Sequence, residues 1–352
     1  MTGWALARAG VSTLVIDAGI PAATQAAAGM LAPSFERSLH GGDGALAEFS
    51  AKSLLRWREL EGMLAERSGV SLDFDGGGVL SVAFDDIEAA VFDADSGGGE
   101  RLDRTDALKL EPALSSSVRG GWLAKNDGQV DPRRARAALE RALVNDGGAL
   151  RRARRVVEVS SANGRVTGVV LDNGERLAAS CIVIATGAHV EGAAGLPAGA
   201  IFPVKGEALS IERIEGSPMR VIRTARAYLC PKSDGRIVIG ASEIKGDWSL
   251  NTDERRVEAL RAGAVAAVPM LEDAREISRW AGLRPATADG APIIGRAGEG
   301  PEGLIHALGH YRNGILLAPA TADAIVRLVV DGREEPSIAA FSAARFNRLG
   351  VS

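Results

Sequence analysis

Apolar and polar positions alternate with two different periods along this chain, and the two periods predict both helices and strands. From Ala45 to Arg67, apolar residues return every three to four positions, which predicts a long amphipathic helix. A second helix is predicted from Asp131, a suitable N-cap, with Pro132 at its first position. Because helix and strand signals alternate throughout, the pattern favours an α/β or mixed fold.

Strand patterns form hairpins and short buried runs. The stretch VSLDFDGGGVLSVAFDD (70–86) alternates around a glycine cluster and predicts a hairpin in a half-exposed antiparallel sheet. AYLCPKSDGRIVIGAS (227–242) predicts a second hairpin with Asp234-Gly235 at its turn. Three further strands are predicted between residues 154 and 188, two of them beside Asn-Gly turns.

The first nineteen residues, MTGWALARAGVSTLVIDAG, are typical of the second half of a dinucleotide-binding βαβ unit. Helix formers lead to Gly10, and a short apolar run then ends at Asp17, whose carboxylate could accept hydrogen bonds from an adenosine ribose. A solvated acid at a strand end is the alternative.

The glycine-rich phosphate loop that such a unit needs is not found in this stretch. If Gly3 closed a GxGxxG loop, the helix would have about six residues and measure roughly 9 Å, too short to run back along a strand of about 17 Å. We therefore expect the first strand and the loop, about 15 residues, upstream of Met1.

Composition narrows the function classes. A length of 352 residues favours two domains, and a net charge of −4 gives no electrostatic reason to expect a nucleic-acid partner. No apolar run approaches the roughly 18–20 residues of a membrane span, so we expect a cytoplasmic protein. Two distant cysteines and four scattered histidines lack metal-ligand spacing. We expect no metal and an organic cofactor.

Three stretches contain candidate chemistry. Residues 26–36 place small side chains around Gly29, where a backbone can approach a flat ligand. In WAGLRPATADGAPIIG, Arg284 could hold a carboxylate through two parallel hydrogen bonds, although a surface salt bridge is the alternative. GHYRNGILLAPATADAIVRLVV (309–330) predicts a glycine-flanked turn that aims helix N–H groups at an anionic reduced isoalloxazine. Pro319 lies about one turn into that helix, where its missing N–H costs little.

Taken together, these stretches resemble the D-amino-acid oxidase superfamily of flavoenzymes, and within it the glycine-oxidase branch of thiamine biosynthesis. The resemblance extends in family order from about residue 4 to residue 348. It depends most on AGLRP and GHYRNGILLAPATA, and AAAGMLAP, FPVKGEAL, and YLCPKSDGRIVIGAS followed by GDW agree with it.

The family resemblance implies an α/β fold with two interleaved domains. One is a Rossmann-like FAD-binding domain of the glutathione-reductase type, and the other is an α+β substrate domain built on an antiparallel sheet. The expected FAD domain covers residues 1–68, 126–203 and 279–345, and the substrate domain covers residues 69–125 and 204–278.

The resemblance also implies a set of site residues. Arg284 and Tyr228 would hold the substrate carboxylate, with Arg312 close to the amine and the flavin. The implied FAD contacts are Asp17, Ala28, Gly29, Met30, Val156, Thr186, Gly187, Arg312, Asn313, Gly314, Ile315 and Leu316. The HYRN turn contains no cysteine, the residue to which the sarcosine-oxidase branch attaches its flavin, so we expect noncovalent FAD. Glu243 stands where some relatives have an apolar residue, which favours a cationic or bulkier amine.

The implied reaction is oxidative deamination of glycine, sarcosine or a D-amino acid. Hydride passes from the α-carbon to the flavin, the imine hydrolyses, and oxygen reoxidises the flavin to give hydrogen peroxide. A dehydrogenase that passes electrons to a quinone is one alternative. A truncated, flavin-free chain that is inert or serves as a binding subunit is another. The expected partners are a small amino acid and oxygen, and the family often forms tetramers.

Overall fold

Apolar side chains form two main cores in the computed structural model, which describes residues 1–34, 44–94, 99–190 and 196–348. One core takes side chains from the start of the chain, from the region around residue 135 and from residues 294–341. The other lies between Leu80 and Ala274. Phe35 and Glu36 of the small-residue stretch, His40, and short parts of the expected domain ranges lie outside the described residues.

The first core is built mainly from helices. The predicted long helix is confirmed as Ala45–Ser68, and it ends at Gly69 with a φ of 67°. The Asp131 cap is also confirmed, because its Oδ1 accepts from the Arg133 and Arg134 amides at 2.8 and 3.2 Å. The helices are α1 (Thr2–Arg8), α2 (Ala23–Ala26), α3 (Ala45–Ser68), α4 (Asp86–Ala94), α5 (Arg104–Leu110), α6 (Pro132–Asn145), α7 (Glu254–Ala267) and α8 (Gly314–Val330).

Short sheets surround these helices. β1 runs parallel to β7, and β11 runs parallel to β19, which is also paired with β18. The carboxyl ends of β11 and β19 therefore lie at one edge. The strands of the short sheets are β1 (Leu14–Asp17), β2 (Met30–Leu31), β6 (Gly128–Gln129), β7 (Ala149–Arg152), β8 (Val156–Ala162), β9 (Arg165–Leu171), β10 (Arg176–Ala178), β11 (Ile182–Ile184), β18 (Ile293–Arg296) and β19 (Leu304–Leu308).

A large sheet lies beside the second core in the order β16-β12-β15-β14-β13-β3-β5-β4, with β17 paired along β12. The predicted hairpin at Asp234-Gly235 is confirmed as β14 and β15. The strands of this sheet are β3 (Val79–Ala83), β4 (Glu100–Asp103), β5 (Gly120–Ala124), β12 (Phe202–Glu212), β13 (Val221–Arg223), β14 (Tyr228–Pro231), β15 (Arg236–Gly240), β16 (Ile244–Lys245) and β17 (Glu276–Ala286).

The hairpin predicted over residues 70–86 is wrong. Only β3 forms there as a named strand, and its partners are β5 and β13, both distant in sequence. Asp75 makes an isolated bridge to Gln129 instead of pairing with β3. Local alternation predicted the strand, but it contains no information about which distant strand is the partner.

Helix α8 is the central apolar helix of the first core. Pro319 was expected to lie where its missing N–H costs little, but it is the sixth residue of α8 and leaves the carbonyl of Ile315 without its helical donor. The indole N–H of Trp57 on α3 donates to that carbonyl at 2.9 Å. The Ala320 amide donates to Ser53 Oγ at 3.1 Å. By length and hydropathy Tyr311–Val330 could cross a membrane, but 56% of that window is buried inside the fold. Its apolar residues pack in the core and fix the turn that precedes the helix.

Candidate active site

Arg284 lies near the end of β17, opposite Val204 of β12 in the sheet. Its guanidinium packs flat against Gly206, where an added Cβ would come within 2.4–2.5 Å of three guanidinium atoms. Nη1 donates to the Ser242 carbonyl at 3.1 Å. A glycine inside a strand often marks such a close approach. The guanidinium is therefore held by the protein in one orientation and is only partly buried.

Tyr228 begins β14 and is held in the same way. Its hydroxyl lies against Gly240, where an added Cβ would be 2.4 Å from Oη. Burial raises the pKa of Tyr228 to about 12, while the Arg284 guanidinium beside the hydroxyl and the charge of Arg312 act in the opposite direction. The hydroxyl is therefore a neutral hydrogen-bond donor at any ordinary pH. Arg284, Tyr228 and Arg312, predicted from separate stretches, converge in the structure.

The turn before α8 supplies Arg312. Tyr311–Asn313 form a single 3₁₀ turn that contacts β17, and α8 begins at Gly314. His310 is held at 3.0 Å from Thr321 Oγ1, and burial lowers its pKa to about 4. The histidine is therefore neutral near pH 7. Arg312 is exposed and provides the positive charge of this turn.

The Ala28–Met30 loop packs beneath these residues. Ala28 is buried, and Met30 packs in the same small apolar cluster as Tyr228 and Trp280. Gly29 has a φ of 87°, and an added Cβ would meet the Val130 carbonyl at 2.1 Å. The loop thus follows a path that only glycine allows. The loop therefore packs beside Tyr228, and its close approach to a flat ligand stays a prediction.

Asp17 lies at the end of β1 with both carboxylate oxygens engaged. Oδ1 accepts from the Gly19 amide at 2.9 Å, and Oδ2 accepts from Arg136 at 2.7 Å. Both side chains of this ion pair are about a quarter exposed. The carboxylate is therefore anchored, and a ribose would share it with Arg136. No local sequence pattern indicated this pairing, because Arg136 lies 119 residues from Asp17.

The remaining predicted FAD contacts lie at strand ends and at the start of α8. Thr186 and Gly187 follow β11, and the turn before α8 follows the parallel strand β19, so the two loops emerge at the same edge. Thr186 is exposed, and Gly187 has open space beside its Cα. Val156 and its neighbour Val157 at the start of β8 are 36% and 53% exposed.

These groups fit FAD by their chemistry. The N-cap residue Asn313 makes no side-chain hydrogen bond to the first turn of α8, so amides of that turn can donate to an anionic ring. The small-residue loop leaves room for a flat face, and the exposed valines suit an aromatic base. Residues that would contact the two ends of a dinucleotide are thus present.

The sequence interpretation missed three features of this region. Gly206 and Gly240 face Arg284 and Tyr228, and the signal for both was a glycine inside an apolar strand pattern. Asp127 is 1% exposed and accepts from the Ser34 hydroxyl at 2.9 Å. Burial raises its pKa to about 7. An acid in a loop of charged and polar residues gave no sequence signal of burial.

Comparison with known proteins identifies the family and the fold of this chain. Residues 1–328 match the family model described as FAD-dependent oxidoreductase. The chain is 34% identical to the bifunctional protein ThiO/ThiG of Synechocystis over 92% of its own length, and it spans about half, 48%, of that relative. It is 32% identical to glycine oxidase of Bacillus licheniformis, covering 97% of the chain and 92% of the relative. The crystal structure of glycine oxidase from Geobacillus kaustophilus superposes with a TM-score of 0.90 at 29% identity, covering 98% and 95% of the two chains.

Proposed function

Because the chain belongs to the family of FAD-dependent oxidoreductases, we propose that it oxidises a small amino acid, with glycine as the first candidate, and releases hydrogen peroxide. The observation that carries this proposal is the convergence of the Arg284 guanidinium and the neutral Tyr228 hydroxyl beside the Arg312 turn. Its similarity to glycine oxidases over nearly its whole length supports glycine as the substrate.

Arg284 and Tyr228 bind the substrate carboxylate in this proposal. A guanidinium offers two parallel N–H donors that match a carboxylate in geometry and charge. The Tyr228 hydroxyl adds a donor that cannot ionise near neutral pH, because its pKa is about 12. Holding the carboxylate at two points fixes the direction of the α-carbon, which is the main requirement for hydride removal.

FAD, when bound, accepts two electrons from the substrate and passes them to oxygen. The residues proposed to hold it are Asp17 toward the ribose, the Ala28–Met30 loop, the loop after β11, and the first turn of α8. The α8 amides and the Arg312 charge favour negative charge in front of the helix. We propose that the cofactor is bound noncovalently.

We propose that the substrates are small amino acids with a free or N-methylated amine. Glu243 follows Ser242, whose carbonyl contacts Arg284, and its side chain is exposed. A carboxylate there favours a cationic amine, so we propose that D-lysine or D-ornithine competes with glycine. The two cysteines are free thiols, which agrees with a cytoplasmic enzyme. We also propose a role in thiamine biosynthesis and, with the family, a tetramer.

The proposal is tested by loading the purified protein with FAD and measuring peroxide release. Glycine, sarcosine, D-alanine and D-lysine are supplied in air, and reduction of a soluble quinone is measured in parallel without oxygen. Peroxide release with glycine or sarcosine supports the oxidase. Quinone reduction without peroxide would replace it with the dehydrogenase. A protein that takes up FAD but oxidises none of these compounds, or that takes up no FAD, would contradict the proposal.

A further inference from the structure

Two charged side chains are buried together on β12, on the face opposite Arg284. Lys205 is 3% exposed and Glu207 is 0% exposed, and their Nζ and Oε1 atoms are 3.3 Å apart. Gly206 between them faces Arg284. Because successive side chains of a strand alternate between faces, Lys205 and Glu207 point away from the substrate residues and cannot contact substrate.

Lys205 binds the two residues on either side of Trp248. Its Nζ donates to Asp247 Oδ2 at 3.1 Å and to Ser249 Oγ at 2.9 Å. The Ser249 amide and the Lys205 ammonium lower the pKa of Asp247 to about 2, so this anchor stays charged. The middle of the loop after β16 is therefore tied to β12 at two neighbouring points.

Glu207 binds both ends of the stretch that contains β16 and this loop. The Ser242 hydroxyl donates to Glu207 Oε2 at 3.3 Å, the Glu207 amide donates to Ser242 Oγ at 2.9 Å, and the Ser242 amide donates to the Glu207 carbonyl at 3.2 Å. At the other end, the Asp253 amide donates to Glu207 Oε1 at 3.1 Å. Residues 242–253, here called the anchored segment, are thus held at the beginning, middle and end by one buried ion pair.

The anchored segment contacts both sides of the proposed active site. At its beginning, the Ser242 carbonyl accepts from Arg284 at 3.1 Å. In its middle, Trp248 is fixed between its two anchored neighbours, and its ring lies 5.4 Å from the ring of His189. His189 follows Gly187 by two residues, in the loop proposed to contact FAD. A displacement of this segment would therefore move the Arg284 acceptor and the Trp248–His189 contact together.

Stability alone does not explain the buried pair. Removing two charges from water is costly, and apolar residues of similar volume often serve a core as well or better. We propose that Lys205 and Glu207 are positioning residues for carboxylate binding. They hold the anchored segment so that the Ser242 carbonyl orients the Arg284 guanidinium. This inference rests on the proposed function, because it assigns Lys205 and Glu207 to the site that binds the substrate carboxylate.

The test compares Lys205→Met and Glu207→Gln with the control Lys245→Met, which removes an exposed lysine from adjacent β16. We expect Lys205→Met to raise the KM for glycine and the Kd for acetate about tenfold or more, while kcat and FAD affinity change less than threefold. Glu207→Gln keeps an acceptor for the Asp253 amide and should be milder than Glu207→Ala. Lys245→Met should match the wild type.

Hydrogen exchange provides a readout that needs no turnover. The amides of Ser249 and Asp253 are hydrogen-bonded within this arrangement. The backbone amides of the anchored segment should therefore exchange faster in Lys205→Met than in the wild type, and at the wild-type rate in Lys245→Met. If a single variant does not fold, Lys205→Met/Glu207→Leu removes both charges and is measured instead. Unchanged glycine KM and acetate Kd in a variant that folds and binds FAD would overturn the inference, whatever the exchange shows.

The wild type separates this inference from the proposed function. A wild-type protein that neither oxidises glycine nor binds acetate overturns both. A wild type that does both, with variants that bind acetate equally well, overturns only the positioning role. A purely structural role would lower thermal stability and FAD content together, and would leave the acetate affinity of the folded fraction unchanged.

Discussion

The two halves of the proposed site differ in how tightly the protein itself fixes their functional groups. On the large sheet, Arg284 and Tyr228 each lie against a glycine that has no room for a side chain. On the dinucleotide side, the Asp17 carboxylate is about a quarter exposed, and Val157 is 53% exposed. The substrate groups are packed directly against backbone, whereas the Asp17 carboxylate is held by hydrogen bonds at a partly exposed position and Val157 lies at the surface.

This difference indicates where orientation matters and where affinity matters. Hydride removal depends on placement of the reacting carbon within a fraction of an ångström, and close-packed glycines provide that placement. The binding free energy of a large cofactor comes from many modest contacts, and none of these contacts needs such accurate placement. Changes on the large sheet should therefore alter kcat/KM, and changes at the β1 end should alter FAD affinity.

The largest effect is expected for Arg284→Ala. Loss of a charged donor pair from a partly buried site should lower kcat/KM for glycine on the order of 10²- to 10³-fold, with FAD content unchanged. Arg279→Ala removes an exposed arginine from the same strand and should have no effect on kcat/KM. Steady-state kinetics with flavin quantitation measure both. An equal loss of kcat/KM in Arg284→Ala and Arg279→Ala would contradict the special role of the packed substrate groups.

A smaller loss is expected for Gly206→Ala. The new Cβ would displace the end of the flexible Arg284 side chain, so the fold should survive while kcat/KM falls on the order of 10- to 100-fold. Gly62→Ala is the control, because Gly62 lies in helix α3 with open space around it. That control should keep its activity and gain about 0.5–1 kcal/mol of stability. Full activity in Gly206→Ala would show that the tight packing has no catalytic purpose.

On the dinucleotide side, Asp17→Asn should weaken FAD binding by about tenfold, because one charged acceptor is worth about 1.5 kcal/mol. Once saturated with FAD, the variant should turn over glycine at the wild-type rate. Titration of the FAD-free protein with FAD gives the affinity, and the exposed Asp172→Asn is the control. A reduced kcat in the saturated variant would contradict the division into orientation and affinity.

The smallest effect on activity is expected for Asp127→Asn, whose main effect should be on the pH dependence of the free energy of unfolding. Burial raises the pKa of Asp127 from 3.8 to about 7. As pH rises from about 4 to 7, the Asp127 carboxyl keeps its proton in the folded state and loses it in the unfolded state. Its contribution to the free energy of unfolding therefore falls over this range, by roughly 1.4 kcal/mol for each unit by which the two pKa values differ. Asp127→Asn should lose less stability than the wild type between pH 5 and pH 8 in denaturant unfolding. If the wild type and Asp127→Asn lost the same unfolding free energy between pH 5 and pH 8, the raised pKa of Asp127 would be contradicted.

Local features could be predicted from the sequence where short-range chemistry decides them. The amphipathic period of α3, the proline and cap of α6, and the turn at Asp234-Gly235 all act over a few residues. The turn before α8 was also predictable, since Gly309 and Gly314 bracket it. Each of these was found within a few residues of its predicted position.

Distant contacts could not be predicted in this way. β3 looked like half of a local hairpin, yet it pairs with β5 and β13. The partners of Asp17 and Glu207 are fixed by the fold and not by spacing. The Trp57 donor that compensates Pro319 lies 258 residues from its acceptor. Local patterns do not determine which distant groups meet, although glycines inside strands do mark where a close approach occurs.

The central claim is that the Arg284 guanidinium holds a carboxylate beside the flavin at the turn before α8. Acetate has the carboxylate of glycine without the amine, so it can be titrated into FAD-loaded protein while the visible flavin spectrum is recorded. We predict a saturable spectral change in the wild type and none at the same acetate concentrations in Arg284→Ala. An equal change in both proteins, or none in a wild type that oxidises glycine, would contradict the claim.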